Sequence, residues 1–169
     1  MPTSVANAPP AIYCIDTSGL IDLGRRYPER VFGALWREIE RLINRGRLIA
    51  PREVLRELQR GDDEMYTWAK KHERMAIDLD QEQMALVREI QSAFPRWVDH
   101  EAEAPIADPF VIALARRQTL LNAVAPRVVL SHENPGGPGA TRIPNVCERY
   151  GIEHIQLVDL FMREGWTFQ

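Results

Sequence analysis

Short apolar runs alternate with longer amphipathic segments along this chain of 169 residues. Short continuous apolar runs are typical of strands that are buried on both faces of a parallel sheet. Apolar residues three and four positions apart instead predict helices with one buried face. The predicted strands cover residues 11–15, 47–50, 127–130 and 152–158, while residues 75–80 fit either a loop or a short strand. The predicted helices cover residues 20–23, 31–45, 51–61, 81–94, 144–150 and 159–164, and two more begin near Asp62 and Asp108.

This alternation of strands and helices predicts an α/β fold, in which helices cover both faces of a central parallel sheet. The length suits one domain with a substantial core, and the sequence contains no internal repeat. We therefore predict a three-layer α/β/α sandwich formed by residues 11–169. Residues 1–10 lack the basic and apolar regions of a signal peptide and are predicted to be a flexible tail.

The first predicted strand ends at an isolated carboxylate. Residues 11–15 read Ala-Ile-Tyr-Cys-Ile and lead into Asp16 and the turn residues Thr-Ser-Gly. In parallel α/β sheets, ligands bind beyond the carboxyl ends of the strands, which is where Asp16 would lie. The same side chain could instead cap the following helix by accepting a hydrogen bond from its first turn. This stretch alone favours neither role.

Composition limits the classes of protein to which the chain can belong. Hydrophobic residues make up 45% and charged residues 27% of the sequence, which is ordinary for a soluble globular protein. No apolar run approaches the roughly 20 residues that span a bilayer, so we expect no membrane helix. Cys14 and Cys147 lack disulfide or metal-binding spacing, so we expect reduced thiols and a cytoplasmic location.

The net charge of −3 lacks the basic footprint that phosphate contacts normally leave in a nucleic-acid-binding protein. If bound metal neutralised four of the 24 acidic residues, however, the remaining charges would nearly balance. The net charge therefore does not argue against a phosphodiester substrate.

Four regions that are distant in sequence each supply a carboxylate to the same predicted edge of the sheet. Asp16 follows the first strand, Asp108 starts a buried helix, and Glu133 follows the third strand. Glu53 and Glu57 lie one turn apart in the helix after the second strand. Taken singly, each has an ordinary role, because Asp108 would cap its helix and the glutamates would be solvated.

The joint placement of these acids points to a cation. Clustered carboxylates repel one another and raise each other's pKa unless a cation neutralises them. Oxygen ligands of this kind suit Mg²⁺ or Mn²⁺ rather than zinc. Such cations, alone or in pairs roughly 3.5–4 Å apart, can activate water and stabilise the leaving oxygen of a phosphodiester. We therefore predict a divalent-metal site at this edge.

Four short segments surround these acids. They are Ile-Asp-Thr-Ser-Gly-Leu-Ile (15–21), Val-Leu-Arg-Glu-Leu (54–58), Ala-Asp-Pro-Phe-Val-Ile-Ala-Leu-Ala (107–115) and Val-Val-Leu-Ser-His-Glu (128–133). In this order and spacing they resemble the PIN-domain family. The segment Ile-Pro-Asn-Val-Cys-Glu-Arg-Tyr-Gly-Ile (143–152) is similar to a prokaryotic PIN-like branch related to the toxins of type II toxin–antitoxin pairs. The resemblance covers residues 12–168 and implies an α/β/α sandwich with Mg²⁺- or Mn²⁺-dependent ribonuclease activity.

The resemblance also implies a role for each acid at a matching position. The implied metal ligands and catalytic residues are Asp16, Glu57, Asp108 and Glu133. Glu53 is the alternative to Glu57 on its helix. Ser18 and Ser131 would support the ligands, although the family often has Asn and Thr at these positions. Glu133 stands where the family commonly has Asp, so its longer side chain could reach the metal through water.

As the resemblance implies, we expect an endoribonuclease that hydrolyses RNA phosphodiester bonds and leaves 5′-phosphate and 3′-hydroxyl ends. The expected partners are the RNA substrate, an antitoxin protein and a second copy of the chain in a homodimer, without a membrane. The four histidines show no triad or ligand spacing, and His132 beside Glu133 is expected to be solvated. The alternative function is a PIN-like module that binds RNA or protein without cleaving.

Overall fold

A five-stranded parallel sheet lies at the centre of the structure, a computed structural model that describes residues 10–121 and 125–168. The strands are β1 (Ile12–Ile15), β2 (Leu48–Pro51), β3 (Ala76–Ile77), β4 (Arg127–Leu130) and β5 (His154–Ile155). Their order is β3-β2-β1-β4-β5, and every neighbouring pair is parallel. The predicted tail, residues 1–10, lies outside the described residues apart from Pro10.

Helices cover both faces of this sheet. They are α1 (Thr17–Arg26), α2 (Gly33–Asn44), α3 (Arg52–Gly61), α4 (Asp63–Lys71), α5 (Gln81–Ala93), α6 (Asp108–Leu121), α7 (Ile143–Arg149) and α8 (Leu157–Arg163). Helix α1 contacts α3 and α4, and α4 packs on α2 through Trp68 and Trp36, whose rings are 5.0 Å apart. On the other face, α6 packs against β1, β2 and β4 and against α5 and α7. The predicted three-layer α/β/α fold is confirmed.

The continuous apolar runs form the centre of the core. Tyr13, Cys14 and Ile15 in β1 and the last three residues of β4 are almost completely buried. The run from Ala107 to Ala115 is buried nearly all round, apart from Asp108, because α6 lies directly on the sheet. None of the described helices combines the length and apolar character needed to cross a membrane.

Three boundaries differ from the prediction or complete it. Helix α1 continues through Gly24 to Arg26. Gly24 lies where α4 packs closely on α1, since an added Cβ would lie 2.6 Å from Met65 Sδ. The segment 75–80 contributes a short strand, β3, which pairs with β2. The last strand is only two residues long, since Gln156 N–H donates to Asp159 Oδ2 at 3.0 Å and this capping box starts α8 at Leu157.

The connections leave a crevice between β1 and β4. From β1 the chain crosses to β2 and then β3 with helices on one face, and from β3 it returns to β4 with α5 and α6 on the other. The segments that follow β1 and β4 therefore diverge to opposite faces. In open α/β sheets, ligands bind at such a switch in strand order, beyond the carboxyl ends of the strands. Asp16 and Ser131 are the first residues beyond these two ends.

Candidate functional site

Asp16 both caps a helix and lies buried in the crevice. Its side chain is only 2% exposed, and its Oδ1 accepts a 2.7 Å hydrogen bond from Gly19 N–H in the first turn of α1. Ser18 Oγ donates to Oδ2 at 2.7 Å. A Cβ at position 19 would lie 2.9 Å from Ile15 Cγ1 and 3.1 Å from Asp16 Oδ1, so this turn requires glycine. The two roles that the sequence left open for Asp16 are therefore compatible.

Glu57 connects the segments that carry Asp16 and Asp108. Its Oε1 accepts a 2.8 Å hydrogen bond from Ala107 N–H, immediately before Asp108. Its Oε2 accepts a hydrogen bond from Thr17 Oγ1, immediately after Asp16. These two contacts bring α3, α6 and the end of β1 together, and they place the Glu57 carboxylate beside both aspartates.

Glu53, the sequence-based alternative to Glu57, has different neighbours. It forms an ion pair with Arg56 on its own helix, with 3.4 Å between Oε1 and Nη1. The charge of Glu57, in contrast, raises the pKa of both Asp16 and Asp108. Of the two glutamates on α3, Glu57 is therefore the one in the crevice.

Asp108 is the first residue of α6 and does not occupy the capping position. Ala107 holds that position, since its carbonyl oxygen accepts from Phe110 N at 2.9 Å and from Val111 N at 3.1 Å. Burial, followed by repulsion from Asp16, Glu133 and Glu57, raises the pKa of Asp108 to about 8. A capping bond would lower this pKa, whereas each of these influences raises it.

The pKa of Asp16 is raised to about 7, chiefly by burial, with Glu133 and Glu57 adding repulsion. The hydrogen bonds from Gly19 and Ser18 oppose this increase, because they stabilise the ionised form. The two aspartates and two glutamates therefore influence one another electrostatically, and we name Asp16, Glu57, Asp108 and Glu133 the acid cluster.

The end of β4 is attached directly to the Asp16 segment. Asp16 N–H donates to Leu130 O at 3.0 Å, and His132 N–H donates to Ser18 Oγ at 3.0 Å. Ser18 therefore accepts a bond from β4 while it donates to Asp16. Its hydroxyl orients a carboxylate, which is one of the roles that the resemblance allowed for it.

Glu133 is held by the start of α7 and by the side chain of Ser131 at the end of β4. Its Oε2 accepts a 2.8 Å hydrogen bond from Ile143 N–H. Its own N–H donates to Ser131 Oγ at 3.2 Å, and this buried hydroxyl lies 2.6 Å from His154 Nε2. Burial lowers the pKa of His154, while Asp159 opposes the decrease.

Sequence reasoning missed two of these contacts. The sequence indicates only a turn at Thr17, although its place directly after Asp16 puts it at the strand end, where it contacts Glu57. His154 contacts Ser131 because β5 pairs with β4, with His154 opposite Val129. The sequence contains both strands but does not give their order in the sheet, so this neighbour could not be predicted.

The chemistry of the acid cluster fits a hard divalent cation. All four side chains offer carboxylate oxygens, and a cation among them would relieve the repulsion that raises the pKa of both aspartates. Within residues 10–121 and 125–168, however, no group of three or more acidic, histidine or cysteine side chains is placed so that it could hold a metal ion. The residues thus supply suitable ligands without a closed coordination shell.

Comparison with known proteins gives a family but no activity. The model of the family described as "Domain of unknown function (DUF4411)" matches residues 13–168, so the chain belongs to this family. The match spans all four members of the acid cluster. No curated protein matches the sequence. The function therefore has to be argued from the site.

Proposed function

We propose that the protein is a Mg²⁺- or Mn²⁺-dependent endoribonuclease and that the acid cluster is its active site. The observation that carries this proposal is the convergence of four carboxylates, from β1, α3, α6 and β4, in the crevice between two neighbouring strands. A phosphodiester is itself anionic, so a cluster of carboxylates can accept it only with a cation between them. RNA is chosen as the substrate because the four segments that carry the acids resemble PIN domains.

Hydrogen bonds within the protein fix three of the four carboxylates. Asp16 is held by Gly19 and Ser18, and Glu57 is held by hydrogen bonds from α6 and from the turn after β1. Glu133 is held through Oε2, which accepts a hydrogen bond from the backbone of α7. Ligands that are oriented before binding lose less entropy when the substrate arrives.

Asp108 has a different part in the proposed site. Its carboxyl is buried beside three other acids, and its pKa of about 8 means that it keeps its proton at neutral pH when metal is absent. Bound Mg²⁺ or Mn²⁺ would displace that proton and would supply an activated water and charge neutralisation at the leaving oxygen. We therefore expect metal binding to release protons and to strengthen as the pH rises.

Cleavage of a mixed pool of single-stranded RNA tests the proposal. The wild-type protein is expected to cleave with Mn²⁺ and to stop when a chelator is added. Glu57→Gln removes a carboxylate from the crevice and is expected to lose activity, while Glu53→Gln, one turn away on the same helix, is the matched control and is expected to retain it.

Three results would contradict the proposed function. Cleavage that resists the chelator would exclude the metal-dependent mechanism. Equal activity of Glu57→Gln and Glu53→Gln would remove Glu57 from the site. Mn²⁺-dependent binding of RNA without any cleavage by the wild type would favour the non-cleaving module instead.

We extend the proposal to location and partners on the basis of the same resemblance. The protein would act on RNA in the cytoplasm as a homodimer and would be the toxin of a toxin–antitoxin pair. Both thiols are buried, and burial raises the pKa of Cys14 to about 12, so neither is suited to redox chemistry. Induced expression is expected to arrest growth of a bacterial host, and Asp16→Asn is expected to relieve the arrest.

A further inference from the structure

A second charged cluster lies beside the acid cluster, where α1 passes the end of β4. It consists of Asp22 and Arg26 on α1 and His132 after β4. Arg26 Nε lies 2.7 Å from Asp22 Oδ1, and His132 Nδ1 lies 3.2 Å from Asp22 Oδ2. Arg26 Nη2 lies 3.3 Å from His132 Nε2, which closes a ring of three contacts. The expected solvated role of His132 does not account for these contacts.

The chemistry of arginine fixes the hydrogen positions in this ring. A guanidinium group can only donate hydrogen bonds, so His132 Nε2 accepts from Arg26. The hydrogen of the imidazole therefore lies on Nδ1 and faces Asp22. Both partners therefore hold the Arg26 guanidinium in one orientation. The Arg26 side chain is 58% exposed, whereas that of Asp22 is 12% exposed. Asp22 thus lies beneath a guanidinium that faces solvent, whereas the His132 side chain beside it is 40% exposed.

Arg26 keeps donors for a ligand. Of its five N–H groups, the ring described here engages Nε and one hydrogen of Nη2. Both hydrogens of Nη1 and the second hydrogen of Nη2 form the fork that arginine uses to bind two oxygens of one phosphate. A fork that is already oriented binds phosphate with a smaller loss of side-chain entropy than a freely rotating one.

The position of this cluster relates it to the acid cluster. His132 N–H donates to Ser18 Oγ, which in turn donates to Asp16, so the two clusters share one hydrogen-bonded chain. Asp22 follows Asp16 by six residues along α1, which corresponds to a rise of about 9 Å. Because the two clusters lie at different points along α1, each would hold a different phosphate of the same strand.

We infer that Asp22, Arg26 and His132 form a binding site for a second phosphate of a nucleic-acid strand whose neighbouring phosphodiester lies in the acid cluster. Arg26 binds the phosphate, and Asp22 and His132 are positioning residues that orient the guanidinium. This inference rests on the proposed function and refines its substrate class. It selects a polynucleotide over a small diester that contains a single phosphate.

Arg26→Gln tests the inference, with Arg25→Gln as the matched control. Arg25 is the preceding residue of the same helix and is likewise exposed. Cleavage of a 20-nucleotide single-stranded RNA is compared with cleavage of bis(p-nitrophenyl) phosphate, each in Mn²⁺. Arg26→Gln is expected to raise the KM for RNA about tenfold more than the KM for the small diester, the effect of losing one charged hydrogen-bonding partner. Arg25→Gln is expected to show no such selectivity.

A binding experiment separates this inference from the proposed function. RNA affinity is measured against salt concentration in proteins that also carry Asp108→Asn, so that cleavage does not interfere. Losing one phosphate contact to a single strand lowers the slope of log Kd against log salt by about 0.7. Arg26→Gln is expected to lower it by this amount, and Arg26→Lys, which keeps the charge but loses the fork, is expected to retain the slope and bind more weakly.

The outcomes are distinct. If the wild type cleaves RNA and Arg26→Gln matches Arg25→Gln in KM and salt slope, the inference is wrong and the proposed function stands. If the wild type cleaves neither substrate but Arg26→Gln alone lowers the salt slope, the phosphate site stands and the proposed function is wrong. His132→Gln supports the positioning role if it weakens RNA binding while Arg26 is intact, and argues against that role if binding is unaffected.

Discussion

The acid cluster and Glu164 lie at opposite ends of the sheet, and the charges around them differ. The acid cluster occupies the carboxyl ends of the strands. Glu164 lies at the amino end, where its Oε2 and Oε1 accept from Arg47 Nη1 and Nη2 at 2.8 and 2.5 Å. Tyr13 OH also donates to Glu164 Oε1 at 2.6 Å. The carboxylates of the acid cluster therefore face one another, whereas the carboxylate of Glu164 faces a cation and a hydroxyl.

The pKa values record this difference. Burial by itself would raise the pKa of Glu164, but the hydrogen bonds from Arg47 and Tyr13 outweigh burial and lower it. Burial, with repulsion from acidic neighbours, raises the pKa of Asp16 to about 7 and that of Asp108 to about 8. Partial burial is thus common to the acid cluster and Glu164, and the sign of the neighbouring charge decides the direction in which the pKa moves. A buried carboxylate that is paired with a cation belongs to the structure of the fold, whereas buried carboxylates without a cation indicate a site that binds a ligand.

The largest expected effect is on catalysis. Asp108→Asn keeps the size of the side chain but removes a proposed metal ligand, and we expect RNA cleavage to fall on the order of 10³-fold, since metal stabilisation of the transition state is worth several kcal/mol. Glu164→Gln, at the other end of the sheet, is expected to leave kcat within about twofold of wild type. Single-turnover cleavage of a labelled RNA measures both. Similar losses in the two variants would show that the ends of the sheet do not differ in function.

The next effect is on stability, and it should be specific to the amino end. Arg47→Met leaves the Glu164 carboxylate partly buried without its cation, and breaking such a pair costs about 3 kcal/mol of unfolding free energy. The Arg47 and Glu164 side chains are 15% and 14% exposed.

The control for Arg47→Met is Arg41→Met, which breaks the more exposed pair with Glu38 and should cost less than about 0.5 kcal/mol. Urea denaturation without metal measures both unfolding free energies. Equal costs would mean that Arg47 does not compensate a buried charge.

The third effect is a pH dependence at the carboxyl end. In metal-free protein, Asp16 and Asp108 hold protons in the folded state up to about pH 7 and 8, whereas unfolded Asp titrates near pH 3.9. Because the folded state binds more protons in this window, its stability falls as the pH rises. Each group contributes at most about 1.4 kcal/mol per pH unit.

Comparison of wild type with Asp108→Asn isolates this pH effect. The lowered pKa of His154 acts in the opposite direction, but it is present in both proteins and cancels in the difference. Unfolding free energies in chelator between pH 5 and 8 should fall less steeply in the variant. Parallel pH profiles would contradict the raised pKa of Asp108.

The smallest expected effect concerns how the Tyr13 hydroxyl contributes to stability at the amino end of the sheet. Tyr13→Phe removes one of the hydrogen bonds to Glu164 but leaves the bidentate contact with Arg47 in place. We expect a loss of about 1 kcal/mol in unfolding free energy. Urea denaturation measures this loss, and a cost as large as that of Arg47→Met would show that the hydroxyl, and not the ion pair, satisfies Glu164.

Much of the fold follows from local sequence patterns. The buried runs of β1, β4 and α6 are continuous in the sequence, and parallel strands with helical connections are the simplest way to bury them. The length of β5 was overpredicted because the apolar pattern of residues 152–158 does not reveal that Gln156 and Asp159 start a helix. A capping box is itself a sequence feature, so this boundary could have been found from side-chain chemistry.

The site was only partly predictable, because strand ends can be placed from sequence and long-range side-chain contacts cannot. Asp16 follows from the rule that parallel strands end at one edge, and Asp108 follows from its position at the start of a buried helix. The choice between Glu53 and Glu57 depended on contacts with Thr17 and Ala107, which are 40 and 50 residues away from Glu57. The contact of Arg26 with His132 spans 106 residues, and it forms only because β4 lies next to β1.

The most direct test of the central claim is thermal unfolding as a function of Mn²⁺ concentration. Wild type and Glu164→Gln are compared with Asp108→Asn, after metal has been removed from all three. A ligand that binds only the folded state raises Tm progressively with its concentration. We predict that Mn²⁺ raises the Tm of wild type and of Glu164→Gln by similar amounts and leaves that of Asp108→Asn nearly unchanged. An equal rise in all three proteins, or no rise in the wild type, would contradict a metal site at the acid cluster.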